Sequence, residues 1–141
     1  MKIYIKAFAN SQKEIYRMLE SKSSIVLEHI AKLMMCPNHS DVNHWKQEIF
    51  AALSRVPKMK PSNKYPSSNE ILKHTWNIWY DSLLDMVKAI ADEYDVKLDK
   101  KTARQIYTSS HEYLTWLSDN LSLTGYVTRT KVYNGLDKLL K

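Results

Sequence analysis

Residues 67–94 read SSNEILKHTWNIWYDSLLDMVKAIADEY, and their periodicity decides the fold. Leu72, Trp76, Trp79, Leu83, Met86, Ile90 and Tyr94 recur at steps of four, three, four, three, four and four. Apolar residues at that spacing fall on one side of a 3.6-residue helix. Ser67 and Glu70 stand at capping-box spacing in front of the stripe and mark its start. A helix of about 27 residues spans about 40 Å at 1.5 Å per residue. A repeat near 3.5 is what packing along a common seam requires. The stretch therefore predicts an all-α bundle, and the rest of the chain supplies about five helices.

Downstream, Asp99 is placed to cap a fourth helix carrying Ala103, Tyr107, Ser110, Leu114, Leu117 and Leu121. Its matching steps predict that the third and fourth helices pack together, with Trp76, Trp79 and Leu83 facing Leu114 and Leu117. Gly125 marks a turn, and Thr128 or Thr130 opens a last helix with Val132, Tyr133, Leu136, Leu139 and Leu140. Upstream, Ser11 and Glu14 have capping-box spacing. Ile15, Leu19, Val26, Ile30 and Leu33 then predict a first helix to about Met35, which Pro37 stops and which Ser21, Ser23 and Ser24 are placed to interrupt. Ser40 or Asp41 caps a second helix with Trp45, Ile49, Phe50, Leu53 and Val56 on its apolar face.

Pro57, Pro61 and Pro66 make 57–67 an extended loop, the one candidate hinge in what reads as a single domain over 1–141. Residues 2–8 alternate in the period-two manner of a short N-terminal strand. A lone strand needs a partner. The candidates are residues 125–129 or the same strand of a second copy, which would make a homodimer.

Composition narrows the class. The chain has 141 residues, near the commonest domain size. Its apolar fraction of 44% suffices for a core, unlike that of a disordered chain. Two glycines in the whole chain disfavour sheet-rich folds with many tight turns and exclude glycine-rich phosphate loops. One cysteine, no signal-like leader and no apolar run of membrane-spanning length lead to the expectation of a cytoplasmic protein without membrane contact.

Candidate chemistry is sparse. Cys36, His39, Asp41 and His44 form the densest polar cluster, with His29 two turns upstream. Thiolate and imidazole are zinc ligands, but Cys-x2-His-x4-His matches no established ligand spacing, so no metal and no cofactor are expected. A cysteine nucleophile would need a base and an orienting group, and the residues around Cys36 carry no such signature. The alternative reading is nevertheless a metal-binding or cysteine-dependent enzyme centred on Cys36, His39 and His44. Trp76 and Trp79 also admit an aromatic-lined pocket, although aromatics on a helix stripe are usually core.

Charge is more informative. The net charge is +6. Residues 55–66 carry Arg55, Lys58, Lys60 and Lys64 with no acid, beside Tyr65. From Asp81 to Asp95 there are five acids and one base. Lys97, Lys100, Lys101 and Arg104 follow against Asp99 alone, and Arg129 and Lys131 lie near the C-terminus. Basic loops bind polyanions by releasing counterions. The last two helices also have the outline of a DNA-reading helix pair, with a turn longer than that motif uses, so a terminal helix closing the bundle is the preferred reading.

In composition, a short Lys- and Tyr-rich helical chain that begins Met1-Lys2-Ile3-Tyr4-Ile5 is similar to small proteins of phages and mobile elements. That resemblance implies an inhibitor or regulator. The expectation is a non-enzymatic binding or regulatory protein that engages nucleic acid or an acidic protein through Arg55, Lys58, Lys60, Lys64, Tyr65, Arg129 and Lys131.

Overall fold

The computed structural model describes residues 8–9, 12–56, 58–59, 66–124 and 127–140. Among them are five helices: α1 (Gln12–Met35), α2 (Val42–Leu53), α3 (Ser68–Glu93), α4 (Lys100–Thr124) and α5 (Arg129–Leu139). One hydrophobic cluster draws on all five, from Ile15 and Ile30 in α1 to Val132 and Leu136 in α5. The chain is an all-α bundle.

Ring contacts and hydrogen bonds fix the helix directions. Tyr16 meets Glu70 and His74, while Ser23 meets Trp79, so α1 and α3 run parallel. Tyr80 meets Tyr107 and Trp76 meets His111, so α3 and α4 are antiparallel. Lys46 pairs with Asp137 at 3.2 Å while Arg129 lies over Phe50, so α2 and α5 are antiparallel. Successive helices thus alternate up and down. α1 sits at the centre, packed on α2, α3 and α4.

Local chemistry sets the boundaries. Ser67 and Glu70 form the expected reciprocal capping box on α3. The Asp99 carboxylate accepts from the Thr102 backbone N–H at 2.7 Å, and these bonds hold its carboxyl below the usual range. Thr128 caps α5 through the Lys131 N–H. Asp41 is the N-cap residue of α2, without a side-chain cap bond. α3 ends without glycine: Asp95 takes a φ of 52°, and the N–H groups of Asp95 and Val96 return to the carbonyls of Asp92 and Ala91. This is a Schellman closure, and aspartate is one of the few side-chain-bearing residues that enter the left-handed region readily.

Expectations for α3 are corrected, while α1 runs continuously to Met35 as its stripe predicts, unbroken by its serines. Ser23 and Ser24 hydrogen-bond carbonyls three residues back, to Glu20 and Ser21, so their hydroxyls are satisfied inside the helix. The buried face of α3 is Ile71, Thr75, Leu83, Val87, Ile90 and Ala91, rotated about one position from the Leu72–Trp76–Trp79 stripe. The reason is that α3 packs on both α1 and α4. Trp79 accordingly turns to α1, donating from Nε1 to Ser23 Oγ at 2.7 Å, and does not face Leu114.

Of the strand expected over 2–8, only Phe8 lies among the described residues. Phe8–Ala9 (β1) lies parallel to Lys58–Met59 (β2) of the same chain, with Phe8 opposite Lys58. Residues 2–7, Ser11, Pro57, Pro61 and Gly125 lie outside the described residues.

Candidate functional site

Two surfaces gather side chains capable of recognition, at the α2/α5 end of the bundle and along α3 and α4. The α2/α5 end holds part of the basic set expected from sequence. Because α2 and α5 are antiparallel, Arg55, just past the end of α2, and Arg129 and Lys131, in the first turn of α5, come to the same end. All three are exposed. The Arg129 guanidinium lies 4.9 Å from the Phe50 ring centre and 5.9 Å from that of Tyr133. A cation within about 6 Å of a ring centre is attracted by the ring face, and two such rings restrict where the guanidinium can sit. Lys58 follows Arg55 by three residues, and its backbone pairs with Phe8 in β1. Lys60, Lys64 and Tyr65 lie outside the described residues.

An open groove lies between α3 and α4, and of the two tryptophans that admitted an aromatic-lined pocket it takes Trp76. Its volume is about 840 Å³, and Trp76, Tyr80, Leu84 and Tyr107 form its floor with Lys100 and Arg104 on the α4 side. Tyr80 is 50% exposed and Leu84 37%, the exposed large apolar side chains among the described residues. Trp76, Tyr80, Tyr107 and His111 meet edge to face, with ring centres 5.0–6.2 Å apart. Tyr107 Oη donates to the Tyr80 carbonyl at 3.1 Å. Burial raises the Tyr107 pKa above its ordinary value, with smaller upward contributions from Tyr80, Asp81 and Asp85. The signal for this groove was present in the sequence: Trp76, Tyr80 and Leu84 form a second stripe at steps of four beside the seam. Three of the four tryptophans, at 76, 79 and 116, are half-buried, and only Trp45 sits within the core.

The cysteine–histidine cluster does not converge. His39 stacks on Trp45 with centres 5.0 Å apart, and its Nδ1 accepts from the Asp41 N–H at 3.0 Å. His44 points along exposed α2 to Glu48 at 3.6 Å. His29 turns down its own helix and donates from Nδ1 to the Ile25 carbonyl at 2.7 Å. Cys36 is half-buried and burial pushes its thiol pKa up, which disfavours the thiolate that a nucleophile or ligand requires. Among the described residues no three His, Cys, Asp or Glu side chains group as metal ligands would. Nor is any helix among them long and apolar enough to cross a membrane.

α5 contributes Val132 and Leu136 to the core, and its Gly135 backbone approaches the Trp116 ring closely. These contacts make it a closing helix of the bundle. No protein-family model, curated protein or solved structure matches this chain.

Proposed function

We propose that this chain is a non-enzymatic binding or regulatory protein that engages a polyanionic partner, nucleic acid or an acidic protein face, through the basic end of its bundle. The observation that carries this reading is the antiparallel packing of α2 on α5. It unites Arg55 with Arg129 and Lys131, two basic segments more than 70 residues apart in sequence. Arg129 is held by two aromatic rings, which lowers the ordering cost of a bidentate contact to phosphate or carboxylate. Lys58, Lys60 and Lys64 follow Arg55 closely in sequence and add to the basic character of this segment. The half-buried thiol of Cys36, whose pKa burial raises, and the dispersed histidines favour binding over catalysis.

Salt dependence tests the proposal. Labelled duplex DNA, single-stranded DNA and a polyglutamate peptide are titrated with the native chain and with a variant carrying Arg55→Ala, Lys58→Ala, Arg129→Ala and Lys131→Ala. Each phosphate neutralised releases counterions, so loss of four contacts flattens the plot of log affinity against log salt by up to about 3–4 for duplex DNA. Preference for DNA or for polyglutamate identifies the partner class. Equal binding of all three probes by native and variant chains removes this surface from consideration.

A further inference from the structure

We propose that the α3–α4 face is the interface of a homodimer, in which two copies pair about a two-fold axis parallel to these helices. Scattered exposed apolar residues are ordinary. Tyr80 and Leu84 are not scattered: they lie one turn apart, in line with Trp76, along an open groove. Helices of 26 and 25 residues offer a face roughly 35–40 Å long. That is enough length to bury the ~1,000 Å² a stable interface needs.

Charge selects the occupant. The α4 wall carries Lys100 and Arg104. Asp81 and Asp85 follow Tyr80 and Leu84 on α3, and their charge is felt at Tyr107. The face therefore carries acids along α3, bases along the first turns of α4 and aromatic rings between, with Glu112 farther along α4. A polyanion that met the cations would also meet Asp81, Asp85 and Glu112. A second copy meets the face correctly. Rotation about an axis parallel to the helices lays each acidic wall on the other copy's basic wall, as an isologous contact demands. The Tyr80–Tyr107 and Trp76–His111 contacts fix the register, so Arg104, three residues toward the start of α4, is level with Leu83 and about 3 Å along the axis from Asp85. Arg104 of each copy then faces Asp85 of the other. Two antiparallel helix pairs stacked in this way form a four-helix layer.

The mass of the full chain is measured by sedimentation equilibrium across the micromolar range. The expected value for the native protein is twice the 16.5 kDa chain mass. Arg104→Glu and Asp85→Lys each place like charges across the interface and weaken self-association by roughly tenfold or more. Mixing these two variants restores the dimer, because both contacts of the mixed pair are again between opposite charges. Tyr80→Ser with Leu84→Ser abolishes association, and circular dichroism checks that each variant keeps its helices. A native protein that stays monomeric overturns the proposal. So does a dimer untouched by the groove substitutions, or a failure of the mixture to recover.

Discussion

Tyr113 buries its hydroxyl in the core, and neither it nor Ser110 Oγ, one turn away on α4, has a hydrogen-bond partner among the described residues. An unmet buried hydroxyl costs about 1–3 kcal/mol. Tyr113→Phe keeps the ring and its packing on Trp116, so it should raise stability by about 1 kcal/mol in urea unfolding. The variant should also differ in alkali. Burial lifts the Tyr113 phenol well above its ordinary value of 10.0. Above that value the unfolded chain loses the proton and the native chain keeps it, so native stability falls as pH rises past about 10. Tyr113→Phe removes that contribution, and its loss of stability with alkali should be shallower. The sequence shows Tyr113 only as an aromatic residue one step from the Leu114–Leu117 seam. Whether its hydroxyl finds a partner depends on neighbours from other helices, which periodicity does not contain. Trp79 was legible as a member of the α3 stripe, but its turn toward α1 and its bond to Ser23 were not, for the same reason.

At the scale of elements, helix ends were the most legible feature. Ser67 with Glu70 and Asp99 cap where their spacing placed them, and of Thr128 and Thr130 the first caps α5, because capping depends on residues within one turn. The orientation of α3 was less legible. A helix with two packed neighbours has a wide apolar sector, and a single stripe drawn through it identifies neither neighbour. Ile71 and Val87 fell outside the stripe and are buried; Trp76 fell on it and lines the groove. The approach of α5 to α4 was illegible, since Gly135 looks like a weakness in a helix. A Cβ built there would lie 3.3 Å from the Trp116 indole, so the missing side chain lets the helices close. Alanine gains about 0.5–1 kcal/mol of helix propensity and loses a similar amount in crowding, so Gly135→Ala should leave the melting midpoint nearly unchanged. Gly135→Leu gains nearly the same propensity but sets a far larger side chain against the indole, and should lower stability by about 1–3 kcal/mol, as overpacking does. Thermal unfolding of the two variants separates these outcomes.

In the whole molecule, the all-α class followed from seams and the two-glycine composition. The arrangement around a central α1 did not, because five amphipathic stripes admit several orders of packing. The short parallel contact of Phe8–Ala9 with Lys58–Met59 was equally hidden: residues about 50 apart meet only once the bundle has formed. That architecture predicts a gradient of local stability. Ile15, Val26, Leu27, Ile30 and Ala31 of α1 are all fully buried, and α1 contacts three other helices. The 11-residue α5 lies at the edge, packed on α2 and α4, with Val132 and Leu136 as its buried residues. Opening α5 alone exposes those side chains and leaves the α1–α3–α4 core intact. Opening α1 exposes the centre of the bundle and amounts to global unfolding. Native-state hydrogen exchange should therefore find the slowest amides in α1, exchanging with the free energy measured by denaturant. The amides of α5 should exchange earlier, with a free energy that depends weakly on added denaturant because little surface opens. Val132→Ala should speed exchange in α5 and leave the slowest amides of α1 almost unchanged. Equal protection in both helices, with Val132→Ala accelerating both alike, would show instead that the five helices open as one unit.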